Sequence, residues 1–317
     1  MIIQIALILL GFLLLVQGAN WVVDGATALA RKYNISNLVI GLTIVAFGTS
    51  APELVVNLIS SFQGYSDIVL GNIIGSNIFN LFAILGIVGL ITPLAVQSST
   101  VWKEIPISFV ALLVLFLLCN NFFLQNGLIL SRIDGFILFV FFALFLLYVY
   151  KQLKRDLLNI GISQNQFSDL KIWSLIIIGL GGLILGGNLV VKYSIEVATI
   201  LGISEKLIGL TIVAIGTSLP ELVTSVVATI KKNNDIAIGN IIGSNIFNVL
   251  FILSISAFIH PIKYNPSFNF DIYFLGLGTV FLFMAMFTGK KKKLDRWEAF
   301  LLFLAYITYT VYLISKT

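Results

Sequence analysis

Long apolar stretches, separated by short polar breaks, run along the whole chain. Each stretch holds roughly 17 to 25 residues, which is enough for a helix to cross the hydrocarbon core of a bilayer. A backbone in lipid must satisfy its own hydrogen bonds, and no ten-residue alternation indicates a barrel, so the stretches predict helices. Ten spans are predicted, at 2–19, 36–61, 68–92, 104–120, 133–150, 172–190, 205–230, 236–259, 270–288 and 297–314.

The composition supports a membrane protein. Of the 317 residues, 59% are hydrophobic and 10% are charged, which lies far outside the usual range of soluble domains. The predicted fold class is therefore an all-α polytopic membrane protein with ten transmembrane helices. The lipid bilayer is its expected partner, and no obligatory protein partner is evident.

Lysine and arginine residues are distributed unequally between the two sides of the predicted membrane. Fourteen of the 19 lie in loops after odd-numbered helices, and the positive-inside rule assigns those loops to the cytoplasm. Both termini are then extracytoplasmic and the linker 151–171 is cytoplasmic, in a multi-pass protein of the cell (inner) membrane. Because topology accounts for the basic charge, no nucleic-acid partner is expected. The fourteen are Arg31, Lys32, Lys103, Lys151, Lys154, Arg155, Lys171, Lys231, Lys232, Lys290, Lys291, Lys292, Lys293 and Arg296.

The second half of the chain repeats the first. A shift of 168 residues aligns GLTIVAFGTSAPELV at 41–55 with GLTIVAIGTSLPELV at 209–223, and GNIIGSNIFN recurs unchanged at 71–80 and 239–248. Each half then holds five helices, and because five is odd, the second half enters the membrane from the opposite face. Inverted-topology repeats of this kind are an architecture of secondary transporters. The predicted division is 1–150 for the first repeat, 151–171 for the linker and 172–317 for the second repeat.

Each repeat places a glutamate beside a proline in the middle of an apolar helix. A carboxylate at that depth costs roughly 2.5–3.5 kcal/mol on insertion scales, so Glu53 and Glu221 at matched positions indicate a function rather than packing. Pro52 and Pro220 have no N–H, so a local helix break is predicted at each motif. The break is expected to free main-chain oxygens around Ala46, Gly48, Thr49, Ala214, Gly216 and Thr217.

Further oxygen-bearing side chains follow at helical spacing. Since no His or Cys is among them, the set suits hard cations such as Ca²⁺, Na⁺, Mg²⁺ or Mn²⁺. Two facing carboxylates neutralise one divalent or two monovalent ions, so one site could hold either kind in turn, as an antiporter requires. For the Ser and Asn rows, simple interhelical hydrogen bonding remains an alternative. The residues are Thr49, Ser50, Asn57, Asn72, Ser76, Asn80, Thr217, Ser218, Ser225, Asn240, Ser244 and Asn248.

The paired motifs resemble those of a known family. GTSAPEL at 48–54 and GTSLPEL at 216–222, each followed by GNIIGSNIFN, are similar to the alpha-repeats of the cation/calcium antiporter (CaCA) superfamily, most closely its prokaryotic sodium/calcium exchangers. The resemblance covers essentially the whole chain. It implies exchange of Ca²⁺ for Na⁺ without a cofactor, with Ca²⁺ held between Glu53 and Glu221 and with helices one and six sliding across a fixed core.

The same resemblance implies the other ligands. Thr49 and Thr217 would contribute backbone oxygens beside the central glutamates, and Asn80 and Asn248 would lie close to the centre. Several relatives carry an aspartate at the position of Asn248, and its absence removes the usual argument for K⁺ co-transport. The flanking sodium sites would be completed by Ala46, Ser50, Ser76, Ala214, Ser218 and Ser244.

The expected function is secondary active, electrogenic extrusion of Ca²⁺ in exchange for Na⁺. The main alternative is a cation/proton antiporter for Ca²⁺ or another divalent ion, because a buried carboxylate pair can also hold a proton. The GTSxPE form of the motif argues against that branch of the superfamily. A channel lined by the same oxygens and a silent membrane scaffold remain open. An enzyme is not expected, because no nucleophile–base pair accompanies the glutamates.

Overall fold

The computed structural model describes residues 2–120, 128–157, 167–201, 214–289 and 292–316. Over these ranges the chain is almost entirely helical. Before the linker the helices are α1 (Ile2–Lys32), α2 (Asn37–Ile40), α3 (Ala46–Thr49), α4 (Ala51–Phe62), α5 (Ser66–Ile78), α6 (Leu85–Ile91), α7 (Ile105–Cys119) and α8 (Arg132–Leu157). After it they are α9 (Asp169–Ile200), α10 (Ala214–Thr217), α11 (Leu219–Ile230), α12 (Asn234–Ile246), α13 (Leu253–Ile259), α14 (Phe268–Ala285) and α15 (Arg296–Lys316).

Short π-helical segments interrupt or precede several of these helices. Two of them, π2 and π4, lie 168 residues apart and connect α5 to α6 and α12 to α13. The two resulting continuous helices are much more buried than the other candidate spans, so they form the centre of the bundle. The π-helical segments in the described ranges are π1 (Gly41–Val45), π2 (Phe79–Ile84), π3 (Thr100–Glu104) and π4 (Phe247–Ile252).

The all-α, multi-pass architecture predicted from the sequence is confirmed. Within the described ranges, eight helices are long and apolar enough to cross a membrane, and the bent pair Asn37–Thr49 and Ala51–Phe62 gives a ninth. The predicted span 205–230 lies partly outside the described residues, and its described part consists of α10 and α11.

Two helices continue ten or more residues past the ends of their predicted spans. The prediction ended the first and sixth spans at residues 19 and 190, whereas α1 continues to Lys32 and α9 to Ile200. The apolar run stops near Asp24 and Lys192, but the helices continue because a charged residue ends a hydrophobic pattern without ending the backbone hydrogen bonding.

Helices α1 and α9 cross at glycines that the 168-residue repeat relates to each other. A Cβ atom added at Gly18 would lie 2.7 Å from the Gly179 carbonyl oxygen, and one added at Gly186 would lie 2.7 Å from the Gly11 oxygen. The reciprocal distances, from Gly179 to the Gly18 oxygen and from Gly11 to the Gly186 oxygen, are 2.8 and 2.9 Å. Only glycine allows two backbones to approach this closely. Each helix therefore packs against its own copy about a pseudo-two-fold axis.

Two small strand pairs also join one half of the chain to the other. Strand β1 (Leu94–Ala95) pairs antiparallel with β4 (Lys293–Leu294), and β2 (Ile129–Leu130) pairs antiparallel with β3 (Ile262–Lys263). The first pair follows odd-numbered spans and the second follows even-numbered spans, so they lie at opposite ends of the bundle. The ends of the two halves are thus hydrogen-bonded around the central helices.

Candidate cation site

Both motif helices break at a serine. The backbone has φ −81° and ψ 9° at Ser50, and φ −92° and ψ 8° at Ser218, so each serine separates two shorter helices. In the first copy the helix axis bends by 47° across the break. Pro52 and Pro220 follow in the first turn of α4 and α11. Backbone N–H groups in a first turn have no acceptor within the helix, so the missing N–H of proline costs no helical hydrogen bond there. The predicted break is confirmed in both copies.

The expectation that this break frees the Ala46 carbonyl oxygen is wrong. That oxygen accepts the Ser50 N–H at 3.0 Å and the Thr49 hydroxyl at 3.3 Å. Ser50 still has an N–H to donate, whereas Pro52 does not. The helix therefore makes one more backbone hydrogen bond before it breaks. The matched Ala214 is the first residue of α10, and its side chain lies outside the described part of the chain.

The two motif glutamates are completely buried, and each is held by a serine of the other repeat. Ser218 Oγ donates to Glu53 Oε1 at 2.8 Å, and Ser50 Oγ donates to Glu221 Oε1 at 2.8 Å. Because each serine lies three residues before the glutamate of its own repeat, this exchange of partners places the two carboxylates beside each other. These bonds bring the two motif breaks together.

A second pair of serines contacts the same carboxylate oxygens from the central helices. Ser76 Oγ donates to Glu53 Oε1 at 3.4 Å, and Ser244 Oγ donates to Glu221 Oε1 at 3.3 Å. All four serine hydroxyls therefore donate to Oε1 atoms, two of them to each glutamate. The Oε2 atoms of Glu53 and Glu221 are buried and accept no hydrogen bond from any residue that the structure describes.

Two asparagines lie at matched places in the π-helical segments. Asn80 in π2 and Asn248 in π4 are both fully buried. Asn80 Nδ2 donates to Asn245 Oδ1 at 3.1 Å, and Asn248 Nδ2 donates to Asn77 Oδ1 at 3.0 Å. Their own Oδ1 atoms are buried and receive no hydrogen bond from a described residue. A π-helical turn inside an α-helix is often found at a functional site.

Four buried oxygens at the centre of the site accept no hydrogen bond from a described residue. Glu53 Oε2, Glu221 Oε2, Asn80 Oδ1 and Asn248 Oδ1 come from the two motif breaks and the two π-helical segments. A buried acceptor without a donor costs about 1–3 kcal/mol, and more when it is charged, unless another partner supplies positive charge. Carboxylate and amide oxygens are ligands that hard cations such as Ca²⁺ prefer. The arrangement can therefore bind a hard cation with two negative charges close to it.

The threonines and the first asparagine of each GNIIGSNIFN segment link the repeats instead. Thr49 Oγ1 donates to Asn240 Oδ1 at 2.9 Å, and Thr217 Oγ1 donates to Asn72 Oδ1 at 3.3 Å. Asn240 Nδ2 in turn donates to Ser225 Oγ at 3.1 Å. This part of the polar rows forms interhelical hydrogen bonds, as the alternative interpretation of the rows expected. A ligand role for the two threonine backbone oxygens stays a prediction.

Sequence reasoning missed Asn77 and Asn245. The side-chain oxygens of Asn77 and Asn245 accept hydrogen bonds from the NH₂ groups of Asn248 and Asn80, and both residues are nearly fully buried. The signal was present, because each stands three residues before a predicted ligand, one helical turn away, in both copies of GNIIGSNIFN. They do not fall on the spacing of four that relates Asn72, Ser76 and Asn80, or Asn240, Ser244 and Asn248.

A cavity of about 220 Å³ lies next to the breaks, between α9 and the motif helices. Pro52 and Pro220 line it together with Asn188 of α9, the residue matched to Asn20 in the first repeat. The polar side chains of its lining are Thr217 of the second motif and Asn188 of α9, the helix expected to slide. The cavity therefore lies between α9 and the two motif prolines, next to the breaks.

The whole chain is similar to sodium/calcium exchangers. A family model described as sodium/calcium exchanger protein matches residues 3–151 and 171–315. The chain is 30% identical over 350 residues to the sodium/calcium exchanger MaX1 of Methanosarcina acetivorans, with 97% of each protein covered. It is 36% identical over 280 residues to the inner membrane protein YrbG of Escherichia coli strain K12, covering 84% of this chain and 83% of that protein.

A solved structure agrees with these relatives. The sodium-calcium exchanger NCX_Mj superposes with a TM-score of 0.83 and 32% sequence identity, covering 98% of this chain and 99% of that one. The resemblance predicted from the GTSAPEL and GTSLPEL motifs is thus confirmed over both halves of the chain. The fold, the duplicated motifs and these matches together show that the chain belongs to the sodium/calcium exchanger family of multi-pass membrane antiporters.

Proposed function

We propose that this antiporter exchanges Na⁺ for Ca²⁺ and extrudes Ca²⁺ from the cell by using the inward Na⁺ gradient. The observation that carries the proposal is the set of four buried acceptor oxygens, two of them from carboxylates, between the two repeats. Ca²⁺ binds such ligands readily. The names of the relatives MaX1 and NCX_Mj support the same pair of ions.

In this proposal Ca²⁺ lies between Glu53 and Glu221, whose two charges it neutralises. Two Na⁺ ions would neutralise the same pair, so the two kinds of ion compete for one charged site, and competition for one site is the basis of exchange. If a third Na⁺ enters with them, each cycle moves net charge and the exchange is electrogenic. To bind an ion, the Ala46 carbonyl oxygen would have to release a hydrogen bond that it accepts here from Ser50 or Thr49. The other proposed ligands are Ala46, Thr49, Ser50, Ser76, Asn80, Ala214, Thr217, Ser218, Ser244 and Asn248.

The bonds between the repeats supply a reason for coupled exchange. Ser50 moves with α3 and α4 but holds Glu221, and Ser218 moves with α10 and α11 but holds Glu53. A displacement of either break therefore changes the position of both carboxylates. An ion that displaces one carboxylate therefore affects both repeats.

We also propose the topology that the positive-inside rule predicts. Both termini are extracytoplasmic, the linker 151–171 is cytoplasmic, and the repeats occupy 1–150 and 172–317 of a protein in the cell (inner) membrane. The name of the relative YrbG supports the inner-membrane location. Cysteine labelling tests this topology. Lys154→Cys and Lys316→Cys are made separately in a Cys119→Ser background and treated with a membrane-impermeant thiol reagent. Only the Lys316→Cys variant is expected to react in intact cells.

Radiocalcium uptake into proteoliposomes tests the function. Vesicles loaded with Na⁺ are diluted into Na⁺-free medium that also lacks K⁺. We expect uptake only when the Na⁺ gradient points outward, with none at equal Na⁺ on both sides. Adding valinomycin and K⁺ to set an inside-positive or inside-negative voltage then tests electrogenicity. Since Na⁺ leaves as Ca²⁺ enters, an electrogenic cycle carries net positive charge outward, and an inside-positive voltage should speed it.

The control conditions separate this function from its rivals. Uptake driven by a pH gradient alone would identify a cation/proton antiporter and contradict the proposal. Uptake at equal Na⁺ on both sides, following the Ca²⁺ gradient alone, would identify a channel. Absence of Ca²⁺ flux under every gradient, with protein correctly inserted, would leave Na⁺/Ca²⁺ exchange refuted.

A further inference from the structure

Four asparagines form a closed hydrogen-bond network where the two central helices meet. Asn77 and Asn245 are 2% and 6% exposed, and the predicted ligands Asn80 and Asn248 are fully buried. Asn77 Nδ2 donates to the Asn245 backbone oxygen at 3.2 Å, and Asn245 Nδ2 donates to the Asn77 backbone oxygen at 3.4 Å. Their Oδ1 atoms then accept Asn248 Nδ2 and Asn80 Nδ2.

The chemistry of this network fixes which way every amide faces. A backbone carbonyl can only accept, so the group that Asn77 turns toward the Asn245 carbonyl must be its NH₂. The other end of the Asn77 amide is then a carbonyl oxygen, and only a donor can face it. Asn248 must therefore turn its NH₂ toward Asn77, which leaves the Asn248 Oδ1 atom on the opposite side. The same steps, starting from the Asn77 carbonyl, fix Asn245 and Asn80.

We propose that Asn77 and Asn245 are positioning residues that make Asn248 and Asn80 present oxygen, and not NH₂, to the transported cation. This proposal rests on the function proposed above. A primary amide looks almost the same to its neighbours in either orientation, so packing alone does not choose between the two. A flipped Asn248 would point partial positive charge at the ion and lose a ligand. The backbone carbonyls of the opposite repeat exclude that orientation.

The network also explains why both repeats need the same segment. Asn77 belongs to the first repeat and orients a ligand of the second, whereas Asn245 belongs to the second and orients a ligand of the first. Each is held by the main chain of the other repeat. Residues that fix the orientation of metal ligands typically contribute roughly 10–100-fold to metal affinity.

A double-mutant cycle tests the positioning role, with the Ca²⁺ dissociation constant of the purified full chain measured by equilibrium binding of ⁴⁵Ca²⁺. Asn77→Leu removes the acceptor for Asn248, so we expect Ca²⁺ affinity to fall roughly 10–100-fold. In the Asn248→Asp background, a carboxylate offers oxygen in both orientations and turns an oxygen toward Asn77 Oδ1. Adding Asn77→Leu there is expected to leave the affinity unchanged or to raise it.

The outcomes are distinct. A purely structural role for Asn77 predicts the same loss in both backgrounds, and that result would overturn the proposal. If Asn77→Leu does not yield a monodisperse protein, the mirror cycle of Asn245→Leu in the wild type and in Asn80→Asp gives the same test. Wild-type binding that Glu53→Gln abolishes but Asn77→Leu leaves intact would refute the positioning role alone. Absence of Ca²⁺ binding to the wild type would refute the proposed function and this inference together.

Discussion

The two repeats are nearly identical around the carboxylates and different at one end of the bundle. Near the site, the mirrored bonds from Ser50 to Glu221 and from Ser218 to Glu53 are both 2.8 Å long. At the end of α1, however, Asp24 Oδ1 lies 2.7 Å from Lys231 Nζ, just beyond α11. The positions that the 168-residue shift matches to Asp24 and Lys231 are Lys192 and Gln63, which cannot form an ion pair.

This difference separates two requirements of an inverted-repeat transporter. When such a protein alternates between its two states, the repeats exchange their roles. The ion site must hold its ligands in both states, so symmetry is retained there. The closing contacts at the two ends set which state is more populated, and nothing requires them to be equal. Here Asp24 and Lys231, whose ion pair joins α1 to the end of α11, line a cavity of about 1140 Å³, while a cavity of about 220 Å³ separates α9 from the motif helices.

The largest effect is expected from the carboxylates, and it should be the same in both repeats. Glu53→Gln and Glu221→Gln each remove one of the two negative charges and a buried acceptor oxygen, so Na⁺-driven Ca²⁺ uptake should fall to background in both. Asp67→Asn is the matched control, because Asp67 is an exposed carboxylate in the first turn of α5. Uptake by either glutamine variant at the wild-type rate would contradict the central role of the pair.

The glycine crossing of α1 and α9 should show the next largest effect. Gly18→Ala and Gly179→Ala would each place a Cβ less than 3 Å from a backbone oxygen of the other helix, at 2.7 and 2.8 Å. Overpacking of this kind costs about 1–3 kcal/mol, so the melting temperature of the purified protein should fall by similar amounts in the two variants. Gly181→Ala in the same helix is the control, since no atom of the described residues outside that helix lies within 4 Å of its added Cβ. A fall equal to that of Gly179→Ala in this control would remove the steric explanation.

The serines that cross between repeats should have a smaller and symmetric effect. Ser50→Ala and Ser218→Ala each remove a 2.8 Å hydrogen bond to a carboxylate, and we expect the apparent Ca²⁺ affinity of uptake to fall by about tenfold in each. Ser76→Ala and Ser244→Ala remove bonds of 3.4 and 3.3 Å and should cost less. Unequal losses in the Ser50 and Ser218 variants would show that the site is less symmetric in function than in geometry.

Much of the fold could be predicted from the sequence because each repeated motif contains a glutamate, which is rare within membrane-spanning helices unless it has a function, beside a proline, which breaks a helix. The apolar runs, the matched Glu53 and Glu221 and the prolines gave the spans, the inverted halves and the helix breaks. The hydrogen bonding of the Ala46 carbonyl oxygen could not be predicted correctly, because whether this oxygen finds a donor depends on the turn that forms at Ser50. The spacing of Asn77 from Asn80 could be read from the sequence, but its orienting role could not, because that role depends on a backbone oxygen 168 residues away along the chain.

The smallest effect is expected from the ion pair that distinguishes the ends of the bundle. Asp24 and Lys231 are 53% and 29% exposed, and such a pair contributes only about 0.2–1 kcal/mol, which changes a two-state ratio by about fivefold at most. Lys231→Gln should therefore shift the population modestly toward the state in which the cavity beside Asn188 is closed. The rate at which an impermeant thiol reagent modifies an Asn188→Cys variant, in a Cys119→Ser background, should fall by up to about fivefold.

Lys192→Gln is the matched control for this last change, because it removes the same charge at the mirrored position, where Lys192 forms no ion pair with a residue that the structure describes. High salt screens exposed charges, so it should slow labelling of the parent protein toward the rate of the Lys231→Gln variant. If both glutamine variants were labelled at the parent rate, the ion pair would not bias the two states. The difference between the ends of the bundle would then have to come from the packing of α1 and α9 alone.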